Sequence, residues 1–499
     1  MRILIGLALV AGVVLRFVAR SPLWLDEALS VNIARLPLDA IPEALKVDGH
    51  PPLYYFLLHG WIDLFGQGPV AVRSFSGLWS VALIPLVWVA ARRLGGQKVA
   101  LFAVALLALS PFAIRYGTET RMYSMVSVLA LVGWLLVDDA LRRPTKARLA
   151  AIALVVALLM WTHYWAMWLL AAGGIALLVH GWRARRDGRA KDVSVTVGVV
   201  LAFVVGGLAF LPWLPTLMYQ AAHTGTPWAR PVRPTEMIVF TLSDLGGGPQ
   251  PEAVLLGWLV GLLLVLGIFG RATGRFLVEL DVRSRSEARP FAVLIAGTLA
   301  VASVVGYATG ATYASRYAAV FFPFVLILTA LGVDRLKSRP VVLSALAVLL
   351  VLGGIGAVRN VVTDRSDARR SVAAIEARGS SGDLVVYCPD QLGPSGSRLL
   401  SAGFDQVTYP NLTSPERVDW VDYKARLAQS DPEAFADEVL KRAGDRRIFL
   451  VSSTSYITHR KRCPALQNAL AARRPAEVLT LPTEAYEPAQ VLLFEAPKP

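Results

Sequence analysis

The fold turns on the stretch Leu53-Tyr54-Tyr55-Phe56-Leu57-Leu58-His59-Gly60-Trp61-Ile62-Asp63-Leu64-Phe65. It is apolar enough to resemble a membrane span, but a span needs about 20 residues and this run falls short. It carries His59, Trp61 and Asp63, and interfacial aromatics suit the headgroup level. We therefore expect a helix lying at a membrane surface. Counting it as a crossing would invert the orientation of everything after it.

Working outward, 55% of the 499 residues are apolar, only 17% are charged, and mean hydropathy is +0.52. Soluble domains carry about 25% charged residues, so an ordinary soluble enzyme is excluded. The net charge of +14 is spread over short clusters between apolar runs, which excludes a phosphate-tracking nucleic-acid groove. Expected spans are Ile3–Ala19, Pro69–Ala91, Val99–Ile114, Met122–Val137, Leu149–Thr162, Trp165–Val179, Val193–Leu211, Ala253–Phe269, Pro290–Ala308, Ala318–Val333 and Val341–Ala357. With the N-terminus cytoplasmic, the inner loops receive Arg92, Arg93 and Lys98, then Arg142 to Arg148, Arg183 to Lys191, Arg271 to Arg289, and Arg335 to Arg339. That obeys the positive-inside rule throughout. The expectation is a multi-pass protein of a bacterial plasma membrane, with its C-terminal part outside the cytoplasm.

Two domains are expected: residues 1–358 as a polytopic helical domain, and 359–499 as an extracytoplasmic α/β domain. The second has strand-like runs at 384–387, 447–451, 477–479 and 490–494, with helical patterns near 397–402, 432–443 and 465–472. Such alternation implies a largely parallel sheet. Outside the cytoplasm a Cys388–Cys463 bridge is chemically permitted, but sequence does not supply the Cα separation that would decide it.

Ionisable residues at a membrane boundary are costly unless they pair or function. The first outer loop holds Trp24, then Asp26 and Glu27, and ends in His50 followed by Tyr54 and Tyr55. Two acids there can cap the next helix, or one can act as a base. Arg115, Arg121 and Tyr123 lie in the second outer loop, His163 and Tyr164 in the third, and Arg316 and Tyr317 in the fifth. Arginine suits phosphate through its planar fork, although each of these could instead reach for lipid headgroups or hydrogen-bond at the interface. Taken together, one acidic pair faces several cations at one membrane face, which fits attack on a lipid-linked phosphate substrate. Residues 212–251, with Tyr219, His223, Trp228, Arg230 and Arg233, read either as a lid over that site or as a passive connector.

In Trp24-Leu25-Asp26-Glu27, His50-Pro51-Pro52-Leu53-Tyr54-Tyr55 and Arg115-Tyr116 to Arg121-Met122-Tyr123, the sequence resembles the GT-C membrane glycosyltransferases. It is most similar to the family 39-like branch of protein O-mannosyltransferases and the aminoarabinose transferase of lipid A. The likeness is strong over the first third of the chain. It implies an inverting transfer from a polyprenyl-phosphate sugar, of mannosyl or arabinosyl type, to an extracytoplasmic glycan, lipid or protein acceptor. The resemblance also implies a carboxylate in the first outer loop as the catalytic base, and Asp26, with Glu27 beside it, takes that position. His50, Arg115, Arg121, Arg316 and Tyr317 are expected at the donor phosphate, and Trp24, Tyr54, Tyr55, Tyr123, His163 and Tyr164 at the substrate. Relatives differ in their use of a divalent cation. Arg121 stands where several have an acid, a departure that argues against a required metal; no cofactor is expected to be required, and a divalent cation stays compatible. A transporter or flippase of lipid-linked sugars is the alternative, but transporters favour midplane charges and repeats, and neither is evident.

Overall fold

The computed structural model describes residues 2–225, 232–310 and 313–497. Each expected span contains a helix, but Val99–Ile114 is interrupted between Ala108 and Pro111, and Ala318–Val333 at Phe321. Seven described helices are long and apolar enough to cross a membrane, and Lys146–Thr162 and Phe322–Arg335 are shorter. Two expected spans form one continuous element, Pro69–Ala108, kinked at Gly96, whose backbone (φ 79°, ψ −172°) favours glycine. The first helix, Arg2–Leu15, ends before Ala19 because Arg16 turns inward. Its guanidinium donates to the carbonyls of Leu107 (2.8 Å) and Ala108 (3.1 Å) and to Ser80 Oγ (2.8 Å), satisfying the carbonyl end of the kinked helix.

The decisive stretch is a separate helix, Leu53–Phe65, which buries Tyr54, Tyr55 and Leu58. It lies with Leu25–Ala34 and Ile41–Asp48 in the long connection between the first two spans, at the end of the bundle that carries the C-terminal domain. Toward the other ends of the helices, Arg93 pairs with Asp138 and Asp139, Lys98 with Asp334, and Arg335 with Glu287.

The last helix of the bundle, Arg339–Val362, leads to a five-stranded sheet of order 405–408, 384–388, 448–452, 490–494, 476–480. The expectation of a largely parallel sheet is corrected: Leu384–Cys388 runs parallel to both neighbours, but Gln490–Phe494 is antiparallel to both of its own. The physical reason is that loop 481–489 is too short for a parallel crossover. Strand Asp405–Thr408 and helix Ala368–Arg378 were not anticipated, and the helix expected near 397–402 lies earlier, at Gly393–Ser397. Val385, Phe449, Val491 and Leu493 face Val372 and Ile375, while Leu384, Val386, Ile448 and Leu450 face Val439 and Leu466, so helices cover both sides. Cys388 and Cys463 are bridged, with Cα atoms 5.6 Å apart.

The two parts share a core. Trp24, Leu25 and Leu29 belong to the apolar cluster of the C-terminal sheet, not to that of the bundle. Polar contacts reinforce it: Arg398 Nη1 donates to Asn32 Oδ1 (2.7 Å), Asn32 Nδ2 to Glu416 O (2.6 Å), and Asp422 N to His223 O (2.8 Å).

Candidate active site

A cavity of about 710 Å³ lies between the bundle and the C-terminal domain. Asp26 and Glu27 sit in the first turn of helix Leu25–Ala34, where the macrodipole favours acids. Their environments separate them. Asp26 lines the cavity, its carboxylate 3.2 Å from Arg316 Nη1. Glu27 does not line the cavity and is wholly buried. Its two oxygens accept from Arg73 Nε (2.8 Å) and Nη2 (2.6 Å), and the Thr120 N–H adds a third bond at 3.0 Å. Burial would raise this carboxyl, but Arg73, Arg365 and the Thr120 N–H overcome that and hold it below its ordinary value.

Arg115 also lines the cavity. It donates to Glu119 (3.0 Å) and lies over the rings of Tyr486 (5.5 Å) and Trp24 (6.0 Å). Glu119 is buried, one of its oxygens has no hydrogen-bond partner, and burial pushes its carboxyl up against the pull of Arg115. Arg365, in the link to the C-terminal domain, donates to Thr118 O (2.8 Å) and Thr118 Oγ1 (2.7 Å), locking that loop to the second domain.

Arg121 and His50 lie behind this wall. Arg121 donates to Ser30 Oγ (3.1 Å), Tyr55 Oη (3.3 Å) and His50 Nε2 (2.7 Å). Arginine only donates, so His50 Nε2 must accept, and its Nδ1 carries the proton given to Asp48 (2.8 Å). His50 in this arrangement is a neutral relay that fixes Arg121 beneath the Asp26 turn. Tyr55 and Tyr54 are fully buried, Tyr54 bonding Ser76 Oγ at 3.0 Å. Tyr123 packs between Tyr116 and His163. The His163 imidazole is held well below its usual range by burial and then by the charges of Arg121 and Arg316. Tyr317 stacks on Trp165 at 5.0 Å, and Tyr164 bonds Gln220 and Trp213. Of the sequence-predicted residues, Trp24, Asp26, Arg115 and Arg316 therefore meet at the cavity, and the other nine support it or lie apart.

Sequence reasoning missed the remaining walls. Asp244 closes helix Pro234–Gly246 and accepts from Tyr116 Oη at 2.8 Å. The following Gly247 has φ +108°, and a Cβ there would meet Pro111 at 2.8 Å, so the glycine run is a close-packed turn forming cavity wall. Of the lid candidates, His223 contacts Asp422, whereas Trp228 and Arg230 lie outside the described residues. The C-terminal domain contributes Gln391, Trp420, Ser455, Tyr456, Tyr486 and Glu487. Burial pushes the Glu487 carboxyl up to about 7, despite hydrogen bonds from Ser366, Ser395, Tyr456 and the Leu25 N–H. Through that last bond Glu487 caps the helix bearing Asp26. No pattern in the sequence signalled these residues, because they come from loops at one edge of a sheet whose topology was unknown.

Among the described residues, the cavity acids do not gather into a three-ligand metal set. The one close His/Cys/Asp/Glu group is Cys388, His459 and Cys463, with both sulfurs bonded to each other.

The fold is similar to that of solved GT-C membrane glycosyltransferases. Residues 49–214 match the family model described as dolichyl-phosphate-mannose-protein mannosyltransferase. ArnT from Cupriavidus metallidurans bound to undecaprenyl phosphate is similar in structure, with TM-score 0.59 and 15% identity, covering 100% of this chain and 99% of that one. The Archaeoglobus fulgidus oligosaccharyltransferase tethered to an acceptor peptide aligns with TM-score 0.51 and 12% identity, covering 94% and 71%. The same enzyme in complex with Zn and sulfate gives 0.50 and 12%, covering 90% and 68%. No curated protein shows a significant sequence match.

Proposed function

We propose that this chain is an inverting glycosyltransferase that moves a sugar from a polyprenyl phosphate to an acceptor hydroxyl in the cavity, on the extracytoplasmic side. The observation that carries the reading is Asp26 at the cavity wall, 3.2 Å from Arg316, with Arg115 on the same wall. The undecaprenyl phosphate bound by ArnT and the family model over residues 49–214 support the donor class.

In this reading Asp26 takes the proton of the acceptor hydroxyl. The oxygen attacks the anomeric carbon from the face opposite the phosphate, the bond from that carbon to the phosphate oxygen breaks, and the lipid phosphate leaves with the electron pair. Arg316 and Arg115 stabilise the charge that builds on it. An arriving phosphate competes with Asp26 for the Arg316 guanidinium, so donor binding loosens the carboxylate that must take the proton. Glu27, Arg121 and His50 position the Asp26 turn. Domain limits at 1–358 and 359–499, a cytoplasmic N-terminus and an exported C-terminal domain belong to the same proposal. They rest on the distribution of basic loops and on the disulfide.

The test is transfer by the purified protein in nanodiscs, supplied with radiolabelled polyprenyl-phosphate mannose and arabinose and membrane-extract acceptors. Labelled product is expected from the native protein and not from Asp26→Asn. A flippase reading predicts movement of lipid-linked sugar across a vesicle with no new glycosidic bond, and that result would replace this one.

A further inference from the structure

The cavity is chemically two-sided. Its cations, Arg115 and Arg316, belong to the bundle, while the six lining residues of the C-terminal domain include no Lys, Arg or His. They are three aromatics, an amide, a hydroxyl and a carboxyl. Tyr486 is 63% exposed although it sits inside the cleft, so its ring is open to the cavity, and the Trp24 ring meets it edge-on at 5.0 Å. Beside this platform stand two buried polar atoms with no hydrogen-bond partner: Gln391 Oε1, on a residue 1% exposed, and Trp24 Nε1, on a residue 5% exposed. One accepts and the other donates. Orphaned buried groups are costly, and both belong to residues that line the cavity.

Topology gives an independent reason. Strand Leu384–Cys388 has its chain successor, Asp405–Thr408, on one side and Ile448–Ser452 on the other, both parallel to it. That is a topological switch point, where open α/β sheets bind ligands beyond the carboxyl ends of the strands. Gln391 follows one of these strands, and Ser455 and Tyr456 follow the other.

We propose that this wall is the acceptor subsite and that it takes a neutral, hydroxyl-rich glycan. A sugar ring offers an apolar C–H face for an aromatic platform, and hydroxyls that each donate and accept, which matches Tyr486 with Gln391 and Trp24. The C-terminal domain supplies no cation of its own to this wall, and the Arg115 guanidinium that lies over the Tyr486 ring is already held by Glu119. The inference rests on the glycosyltransferase reading above.

The test uses saturation-transfer NMR on the full-length protein in nanodiscs, with neutral mannose, arabinose and glucose trisaccharides, a Ser/Thr octapeptide and a phosphorylated trisaccharide. Undecaprenyl phosphate is titrated separately by thermal shift. At least one neutral trisaccharide is expected to bind, about tenfold more weakly to Gln391→Ala and Tyr486→Ala and within about threefold of native for Tyr486→Phe. Both alanine variants should keep the undecaprenyl phosphate shift. If the lipid phosphate binds but no neutral trisaccharide does, or only the peptide or the phosphorylated sugar does, the subsite is overturned while the donor reading survives. If the lipid phosphate itself fails to bind, the donor reading falls first and takes the subsite with it.

Discussion

Substituting Glu27 and Asp26 one at a time separates fold from chemistry at two adjacent acids. Glu27→Gln leaves Arg73 and Arg365, each 2% exposed, without the carboxylate that neutralises them. Breaking a buried pair by removing one partner costs about 3–5 kcal/mol. Arg73 keeps its bonds to Ser21 O (2.7 Å) and Pro22 O (3.0 Å), so the lower figure applies. For a chain of this size that corresponds to a fall in Tm of about 5 °C, extrapolating from smaller domains. Fluorescence-detected size-exclusion after graded heating, with the protein in detergent, measures it. Asp26→Asn, at the cavity wall, should leave Tm within about 1 °C. Replacing the pair together, Glu27→Leu with Arg73→Met, should recover most of the loss, because apolar isosteres of buried ion pairs are often neutral. A Glu27→Gln protein that melts with the native one would refute the buried pair as the fastening of this turn.

Asp26→Asn should lower kcat about 10²–10⁴-fold, the usual worth of a general base, while undecaprenyl phosphate affinity is kept or tightened because Arg316 loses its competing carboxylate; transfer assays and thermal shift read the two separately. Arg316→Ala should weaken both lipid phosphate binding and rate, and unchanged affinity in the same titration would remove it from the phosphate site. Glu487 keeps a proton in the folded protein up to about pH 7, whereas the unfolded chain releases it near 4.5. The native state thus binds more protons in that window, and stability should fall by about 3 kcal/mol as pH rises from 4.5 to 7, then level off. Chemical denaturation across pH should show that slope reduced in Glu487→Gln. Cys388→Ala/Cys463→Ala opens a loop of sequence separation 75 and should destabilise the C-terminal domain by about 4 kcal/mol, seen as faster hydrogen exchange in 384–494.

The helical bundle was legible because spans announce themselves through length and hydropathy, and Leu53–Phe65 could be recognised as too short to cross. Asp26, Arg115 and Arg316 were legible because charge is rare beside apolar helices. The sequence did not distinguish Asp26 from Glu27: neighbours on a helix point about 100° apart, and only the position of Arg73 decides which one is buried. Nor did it distinguish His50 from a cation at the phosphate, since its role follows from Asp48 on one nitrogen and Arg121 on the other. Antiparallel pairing of Gln490–Phe494 depends on the length of one loop, and Tyr486 and Glu487 were invisible because that loop carries them.

Trp24, Leu25 and Leu29, near the start of the chain, complete their core with strands that end at Phe494. During synthesis those three apolar side chains emerge long before strand Gln490–Phe494 and have no complete native cover until that strand is made. Strand Gln490–Phe494 is interior to its sheet, so a nascent chain stopped before it lacks both the lid of this core and one side of the cavity. The two sides of the cavity are thus written far apart in the sequence, and a chain stopped between them forms neither the joint core nor the cleft.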